Sequence, residues 1–299
     1  TAEWRGGPDV MWTEFVSADG LCHPKGREKL LIDLKYTEAE RPIVAQLFTA
    51  HPEKMFEAAK LIQELGFDGL DINMGCPDRS VEKQGAGAAL IKTPSLAQEV
   101  ILAAKAGAPK LPISVKTRIG YHRDELDTWI PNLLETGISA LTIHARTRKE
   151  MSKVPARWER VAATVELRDK LAPKTLIIGN GDVRDLTHAR ELAKETSADG
   201  IMLGRAIFGN PFLFSDQRFD LKNPPRSNLE IRLRVLVEHT KLFEELLGEV
   251  KSFAIMKKHY KAYVRGWIGV EELRVKLMET TKAEEVENVV DKYLSSMLS

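Results

Sequence analysis

Short apolar runs alternate with amphipathic stretches along the first two thirds of the chain. From residue 8 to about residue 205, each run of Val, Ile and Leu is followed by a polar connection and then by apolar positions at a 3.6-residue spacing. Unbroken apolar runs of this length are typical of parallel strands that are buried on both faces. The pattern predicts strands at 9–14, 42–47, 69–73, 113–116, 140–144, 176–179 and 200–203.

The connections between the predicted strands carry helix signals. Pro52 is placed for a first helical turn, where its missing N–H is not needed, and Gly66 follows the last apolar position of that helix. Ser95 and Asp185 are predicted to cap two further helices, because their side chains accept hydrogen bonds from unpaired helical N–H groups. Strand–helix units in this order predict a parallel sheet, either open or closed into a barrel.

The last third of the chain has a different pattern. Pro224 and Pro225 lie in residues 220–228, which are predicted to be a linker, and no strand signal follows them. Helices are predicted at 229–247, 251–264, 270–278 and 283–297. We therefore predict an α/β protein with a (β/α)8 TIM barrel at 1–218 and a small all-helical domain at 226–299. Seven predicted strands are one fewer than this barrel has, so we expect its first strand to be missing or not included.

Polar side chains stand where the predicted strands end. In a (β/α)8 barrel the carboxyl ends of the strands form one face, and the active site lies on that face. One such residue alone would most simply be a hydrogen-bonded strand end, but six of them on different strands indicate a site. These residues are Gln46, Asn73, Lys116, His144, Asn180 and Arg205.

Two glycine-containing turns follow the last two predicted strands. Glycine lets the backbone approach an anion closely, and backbone N–H groups beside an arginine can hold a phosphate. The loops after the last two strands are also the usual phosphate site of this barrel. We therefore expect a phosphorylated ligand at Asn180, Gly181, Asp182, Gly204 and Arg205.

A cysteine lies on the loop after the third predicted strand. Cys76 stands between Gly75 and Pro77 on the expected active face, where a thiol can act as a nucleophile or as a proton donor. Cys22, the other cysteine, is expected to be a small core residue. Two cysteines make no disulfide framework, so we expect a reducing, cytoplasmic setting, and no neighbouring ligands indicate a metal site.

Composition and charge limit the kinds of partner. The 299 residues are 43% hydrophobic and 29% charged, as is usual for a globular protein, and no stretch is apolar enough for a membrane span or a signal peptide. The net charge is only +1, so a nucleic acid would have to be bound by a local basic surface.

Several of these segments together resemble the tRNA-dihydrouridine synthase family. The segment Asn-Met-Gly-Cys-Pro at 73–77, followed by Gly-Ala-Gly-Ala-Ala-Leu at 85–90, is the most specific part of the resemblance. Further matching segments are 115–118, 144–148, 179–182, 203–206 and 209–211. The resemblance is close over residues 8–215 and loose over the helical tail. Family members usually open with a strand that carries a Pro-Met pair, and no such strand is seen before Pro8.

The resemblance implies an enzyme that reduces uridine in tRNA to 5,6-dihydrouridine, with FMN as cofactor and NADPH as electron donor. Gln46, Asn73, Lys116 and His144 would surround the isoalloxazine ring, and the five residues of the two glycine turns would hold the ribityl phosphate. Cys76 would be the general acid that protonates carbon 5 of the uracil, while hydride reaches carbon 6. The protein is expected to be a monomer that binds neither a metal nor a membrane.

A base inside folded RNA must be turned out before such a site can reach it, so the RNA around the base must be held. Basic and aromatic residues concentrate in 251–276 and are a candidate for this task. Tyr260, Tyr263 and Trp267 are expected either to pack the helices or to stack a base. The basic residues predicted to contact RNA are Lys257, Lys258, Lys261 and Arg265, with Arg118, Arg146 and Arg148 at the barrel mouth.

Two alternatives remain open from the sequence. A small-molecule flavin oxidoreductase of the dihydroorotate or dihydropyrimidine dehydrogenase type would share the barrel and the cofactor, but it would not need a basic helical tail. A catalytically impaired RNA-binding relative would not need Cys76, Lys116 and His144. The sequence does not distinguish tRNA from ribosomal RNA, one uridine from another, or NADPH from NADH.

Overall fold

The computed structural model describes residues 7–214, 226–267 and 269–297. The chain divides into two compact units, a barrel unit at Pro8–Leu203 and a helical unit that contains Gly204–Ser299. Most of the predicted linker at 220–228 lies outside the described residues. The domain limits of 1–218 and 226–299 therefore stay a prediction.

The barrel unit is built around a parallel sheet of seven strands. The strands are β1 (Met11–Ser17), β2 (Ile43–Phe48), β3 (Gly69–Met74), β4 (Ile113–Arg118), β5 (Ala140–His144), β6 (Leu176–Asn180) and β7 (Gly200–Met202). Each strand pairs in parallel with its sequence neighbour, so the spatial order is the chain order. An open doubly wound sheet would reverse its strand order at a switch point, whereas a (β/α) barrel does not. The predicted TIM-barrel class is confirmed, with seven strands among the described residues.

Helices follow the strands of the barrel unit in the predicted manner. They are α1 (Ala18–Cys22), α2 (Pro24–Leu30), α3 (Pro52–Glu64), α4 (Arg79–Glu82), α5 (Pro94–Gly107), α6 (Leu126–Leu134), α7 (Trp158–Leu171) and α8 (Leu186–Thr196). Short 3-10 helices lie at Leu31–Leu34, Glu38–Glu40 and Gly87–Lys92.

The helix ends test three of the sequence signals. The Asp185 carboxylate accepts a hydrogen bond from the backbone N–H of His188 at 2.8 Å, so this cap is confirmed. Gly66 takes a φ of +78° just after α3, as a residue without a Cβ can. The prediction that Ser95 caps α5 was wrong, because Pro94 occupies the first helical turn and Thr93 is the N-cap residue.

The core of the barrel unit lies between the sheet and the helices around it. Leu47, Leu70, Val115 and Leu141 are fully buried on consecutive strands. The indole of Trp129 in α6 is also buried, and its Nε1 donates a hydrogen bond to the Thr117 hydroxyl of β4 at 3.0 Å. Strands fixed in this way hold the side chains at their carboxyl ends in defined positions.

The helical unit contains α9 (Arg226–Leu247), α10 (Met256–Tyr263), α11 (Val270–Glu279) and α12 (Ala283–Ser296), with 3-10 turns at Arg205–Ile207 and Phe253–Ile255. Its core includes Leu233, Met256 and Leu277. Tyr260 and Tyr263 are buried in this core, so they pack the helices, which was one of the two roles predicted for them. None of the described helices is long and apolar enough to cross a membrane.

Candidate active site

The barrel unit brings five of the predicted strand-end residues to the carboxyl edge of its sheet: Gln46, Asn73, Lys116, His144 and Asn180. Asn73 in β3 is the cross-strand partner of Lys116 in β4, and His144 in β5 is the partner of Asn180 in β6. The Lys116 ammonium reaches past β5 and donates to the Asn180 side-chain oxygen at 3.3 Å. The two side chains therefore face the same side of the sheet. Gly204 and Arg205 fall in the helical unit, and their part in the site stays a prediction.

Two amide side chains at this edge are linked by hydrogen bonds to a carboxylate that the sequence reasoning missed. Asp71 in β3 is fully buried, and its two oxygens accept hydrogen bonds from Ser114 Oγ at 2.6 Å and Gln46 Nε2 at 2.7 Å. Gln46 in turn accepts a hydrogen bond from Asn73 Nδ2 at 2.9 Å. Burial raises the pKa of Asp71 to about 6, while the two donors and the Lys116 charge oppose that rise. The signal for Asp71 was present as a lone charged residue within an apolar strand.

The Cys76 loop is held at its backbone. Asn73 Oδ1 accepts from the N–H groups of Gly75 at 3.1 Å and Cys76 at 2.8 Å. On the other side, the Cys76 carbonyl accepts from the Ala88 N–H at 2.9 Å. Gly87 has a φ of +61°, and a Cβ there would lie 2.7 Å from the Cys76 oxygen. The glycine of the downstream motif is therefore required by this close backbone approach.

The Cys76 thiol is suited to giving up a proton. Burial raises its pKa above the ordinary value of 9.0, and the nearby Asp78 and Glu82 charges raise it further. The backbone hydrogen bond to Asp78 and the Arg118 charge act in the opposite direction. The thiol therefore stays protonated at neutral pH, which favours a proton donor over a thiolate nucleophile.

Lys116 is half-buried at this edge, and within the described residues it donates one hydrogen bond. Burial lowers its pKa to about 8, and the Arg118 charge contributes to the decrease, while Asp71 and Cys76 oppose it. The hydrogen bond that it donates goes to a neutral amide, that of Asn180, whose own Nδ2 donates to the Met202 carbonyl at 2.8 Å. An electron-rich or anionic group beside Lys116 would therefore be stabilised.

A third group of residues lies at the ends of β5 and β6. Arg146 is only 2% exposed, and its guanidinium donates to the Val154 carbonyl at 2.6 Å and to the Asp182 carboxylate. Its Nη1 also lies 3.2 Å from His144 Nε2. Because a guanidinium can only donate, this ring nitrogen is the acceptor, as in a neutral imidazole that carries its proton on Nδ1. Gly181 and Asp182 take φ values of +128° and +53° in this turn.

The three arginines predicted at the barrel mouth have internal partners. Arg118 is 6% exposed and donates to backbone carbonyls, among them that of Gly75 at 2.8 Å. Arg148 donates to the Glu82 carboxylate at 2.8 Å from its Nε. A guanidinium that is buried needs such acceptors, and removing it from them would be costly. These three guanidinium groups hold the loops of the site, and the prediction that Arg118, Arg146 and Arg148 contact RNA stays a prediction.

The basic residues of the helical unit are placed differently. Lys258, Lys261 and Arg265 are exposed and Lys257 is partly exposed. Within the part of the chain that the structure describes, none of these four has a carboxylate partner. Nearby, Trp267 Nε1 donates to the Tyr293 hydroxyl at 2.8 Å, so this indole packs against α12.

A family model and the similar sequences agree on one family. A model described as "Dihydrouridine synthase (Dus)" matches residues 5–298. The chain is 41% identical over 292 residues to a probable tRNA-dihydrouridine synthase of Staphylococcus aureus, covering 97% of this chain and 87% of that protein. It is 42% identical over 290 residues to a probable tRNA-dihydrouridine synthase 2 of Bacillus subtilis, covering 96% and 87%. A solved DHODH structure from Eimeria tenella is 15% identical, covering 61% of this chain and 58% of that one with a TM-score of 0.44.

Proposed function

The chain belongs to the dihydrouridine synthase family, and we propose that it reduces uridine in tRNA to 5,6-dihydrouridine, with FMN as cofactor and NADPH as electron donor. The relatives that cover nearly the whole chain are named for action on tRNA. The observation that carries the proposal is a half-buried, protonated thiol, Cys76, whose backbone N–H is held by Asn73 near the Lys116 ammonium. A monomer in a reducing, cytoplasmic setting is part of the same proposal.

The residues at the carboxyl edge fit a flavin. Within the described residues, Gln46 and Asn73 each use one amide N–H in the network and have a second one to donate. Lys116 has a lowered pKa and a neutral partner, so an electron-rich ring beside it would be favoured. We propose that these residues and His144 surround the isoalloxazine ring, and that Asn180, Gly181, Asp182, Gly204 and Arg205 hold the phosphate.

The reaction adds a hydride to carbon 6 of the uracil and a proton to carbon 5. FMN, when bound and reduced by NADPH, supplies the hydride. Cys76 supplies the proton, because its raised pKa keeps the thiol protonated at neutral pH. Lys116, which is mostly charged at neutral pH with a pKa of about 8, stabilises negative charge that develops during the addition.

The helical unit is proposed to hold the RNA. Lys257, Lys258, Lys261 and Arg265 have no carboxylate partner among the described residues, so they are available to phosphates. The buried guanidinium of Arg232 donates to the carbonyls of Ala262 at 2.8 Å and Arg265 at 3.3 Å. This fixes the backbone between the two basic positions Lys261 and Arg265.

A cofactor test addresses the proposal first. Purified full-length protein should be yellow, or should become yellow after reconstitution with FMN, and should release FMN on denaturation. NADPH should then bleach the flavin absorbance. A protein that stays colourless under reconstitution would contradict the proposal, whereas a yellow protein that reduces free uracil or orotate and not RNA would favour a small-molecule enzyme.

A further inference from the structure

A hydrogen-bond chain in the barrel unit runs from β4 to the Cys76 loop. Ser114 in β4, Asp71 in β3 and Gln46 in β2 are direct cross-strand partners. Ser114 Oγ and Gln46 Nε2 donate to the two oxygens of Asp71 at 2.6 and 2.7 Å. Asn73, two residues further along β3, donates to the Gln46 carbonyl at 2.9 Å. The chain ends at the backbone N–H of Cys76, which donates to Asn73 Oδ1 at 2.8 Å.

The direction of every hydrogen bond in this chain follows from Asp71. An ionised carboxylate can only accept, so Gln46 must present its NH2 group to Asp71 and its carbonyl to Asn73. Asn73 must then present its NH2 group to Gln46, which leaves its carbonyl facing the Cys76 N–H. Flipping either amide would place two donors or two acceptors against each other in a buried setting, which is costly.

We propose that Asp71 is a positioning residue that fixes the orientation of the Gln46 and Asn73 amides and, through Asn73, the backbone of Cys76. The inference rests on the proposed function for its catalytic meaning, because Cys76 is the proposed proton donor. Asp71 itself is fully buried in the sheet, and among the described residues its hydrogen-bonded link to Cys76 runs through Gln46 and Asn73.

The substitution Asp71→Asn tests this idea with almost no change in shape. An asparagine can present either its oxygen or its NH2 group to Gln46, so it removes the constraint on direction and leaves the volume unchanged. If the asparagine at position 71 presents its NH2 group, the Gln46 amide turns over, and the Asn73 amide turns over with it. Asn73 would then present its NH2 group to the Cys76 N–H, and the loop would lose its acceptor.

Ser114→Ala is the matched control. It also removes a buried hydrogen bond to Asp71, but the carboxylate that remains can still only accept, so the Gln46 and Asn73 orientations are kept. If the substitutions only loosened the sheet, the reactivity of Cys76 would rise in both variants. If the orientation of the Gln46 and Asn73 amides is what matters, it would rise only in Asp71→Asn.

The readout is the rate at which iodoacetamide alkylates Cys76 in the flavin-free protein, followed by peptide mass spectrometry. Cys22 in α1 serves as an internal standard in the same samples, since its thiol contacts Lys54 and not the hydrogen-bond chain. We expect Cys76 in Asp71→Asn to react about tenfold faster than in the parent, because the loop is no longer held. We expect Ser114→Ala to stay within about twofold of the parent.

A second variant, in which the carboxylate of position 71 and the amide of position 46 change places, is used if Asp71→Asn alone does not fold. In Asp71→Asn combined with Gln46→Glu, the new asparagine can donate to the new carboxylate, which still accepts from Asn73. The Asn73 orientation is then restored, and Cys76 should react at the parent rate. The proposal is overturned if Asp71→Asn reacts like the parent, if Ser114→Ala accelerates as much, or if the exchange variant reacts as fast as Asp71→Asn.

Failure of the proposed function would be seen separately. Alkylation needs neither FMN nor RNA, so its outcome tests the positioning role even if the parent makes no dihydrouridine. If the parent is active, Asp71→Asn should lower the rate of dihydrouridine formation and Ser114→Ala should retain it, in the same order as the alkylation rates.

Discussion

At the scale of single residues, burial shifts the groups of the site toward their uncharged forms. The pKa of Cys76 is raised, that of Lys116 is lowered to about 8, and that of Asp71 is raised to about 6. Perturbed ionisation of several neighbouring groups is characteristic of sites that transfer protons. Of the two acidic groups, Cys76 stays protonated at neutral pH and can give its proton away, whereas Asp71 is mostly ionised; Lys116 remains mostly a charged ammonium.

The Cys76→Ala variant separates proton donation from electron transfer. It should bind FMN and accept electrons from NADPH at close to the parent rate, because the thiol has no part in that step. Its formation of dihydrouridine should decrease by roughly 100-fold or more, the scale of a lost general acid. Stopped-flow measurement of the two half-reactions checks this, with Cys22→Ala as the control, and equal RNA reduction by variant and parent would exclude Cys76 from the mechanism.

The buried Asp71 carboxylate should make stability depend on pH. Its folded pKa is about 6 against an ordinary value of 3.8, so the folded protein takes up this proton first as the pH falls. Above pH 6 the ionised carboxylate lowers the free energy of unfolding. Protonation between about pH 6 and 4 removes this destabilisation, which amounts to up to roughly 3 kcal/mol. The free energy of unfolding of the parent, relative to Asp71→Asn, should therefore rise as the pH falls through this window. Urea titrations at pH 7.5, 6 and 4.5 measure the difference, and parallel curves for the two proteins would contradict it.

Sequence reasoning identified residues by their place at strand ends but not by what they contact. Cys76 and Lys116 were predicted because the third and fourth strands end beside them. The support given by Asp71 could not be predicted, since it depends on which residues of β2 and β4 stand opposite it. The burial of the Arg118 and Arg146 guanidinium groups could not be predicted either, because the charge of a residue does not show whether its side chain is buried.

At the scale of elements, a backbone hydrogen bond connects the loop after β3 to the 3-10 helix at Gly87–Lys92. The Ala88 N–H donates it to the Cys76 carbonyl, and Gly87, which has no Cβ, allows the two segments to lie this close. The strands themselves were predicted to within a few residues, because unbroken apolar runs are a strong signal. The first turn of α5 was not, because Pro94 and Ser95 give competing signals for where the helix begins.

The Gly87→Ala variant tests this junction. A Cβ there would lie 2.7 Å from the Cys76 oxygen and 2.8 Å from Val81 Cγ1, at a φ of +61°. We expect a loss of stability of about 1–3 kcal/mol, together with faster alkylation of Cys76. Gly200→Ala in β7 is the control, since its Cβ would meet nothing closer than Ile178 Cγ1 at 3.7 Å. Thermal melts of the parent and both variants measure the effect. A melting temperature of Gly87→Ala equal to those of Gly200→Ala and the parent would show that the two segments are not closely packed.

At the scale of the whole molecule, the chain combines a barrel unit, which carries the candidate catalytic residues, with a helical unit, which carries a local basic surface. The net charge of +1 does not show this, because Lys257, Lys258 and Lys261 lie close together in α10 and lack carboxylate partners among the described residues. A free pyrimidine would not need such a surface. The comparison with tRNA-modifying relatives over 97% of the chain points in the same direction.

Replacing Lys257, Lys258 and Lys261 by Ala should weaken tRNA binding by a similar factor for different tRNA sequences, because phosphate contacts carry no base information. The dependence of log affinity on log salt should become shallower by about 0.7 to 0.9 for each phosphate that is no longer neutralised by a lysine. FMN content and NADPH oxidation should not change. A variant with Lys25, Lys29 and Lys35 replaced by Ala makes the same change in net charge on exposed positions of the barrel unit. Equal affinity and slope for the parent and the first variant would show that RNA is held elsewhere.

The formation of dihydrouridine in RNA tests the central claim most directly. An unmodified tRNA transcript is incubated with the FMN-loaded protein and NADPH, digested to nucleosides and analysed by mass spectrometry. We expect one or more uridines to gain two hydrogens in the presence of the parent, and this product to fall by roughly 100-fold or more with Cys76→Ala. A parent protein that binds FMN and oxidises NADPH, yet leaves every uridine of the tRNA unreduced while reducing free uracil or orotate, would contradict the claim.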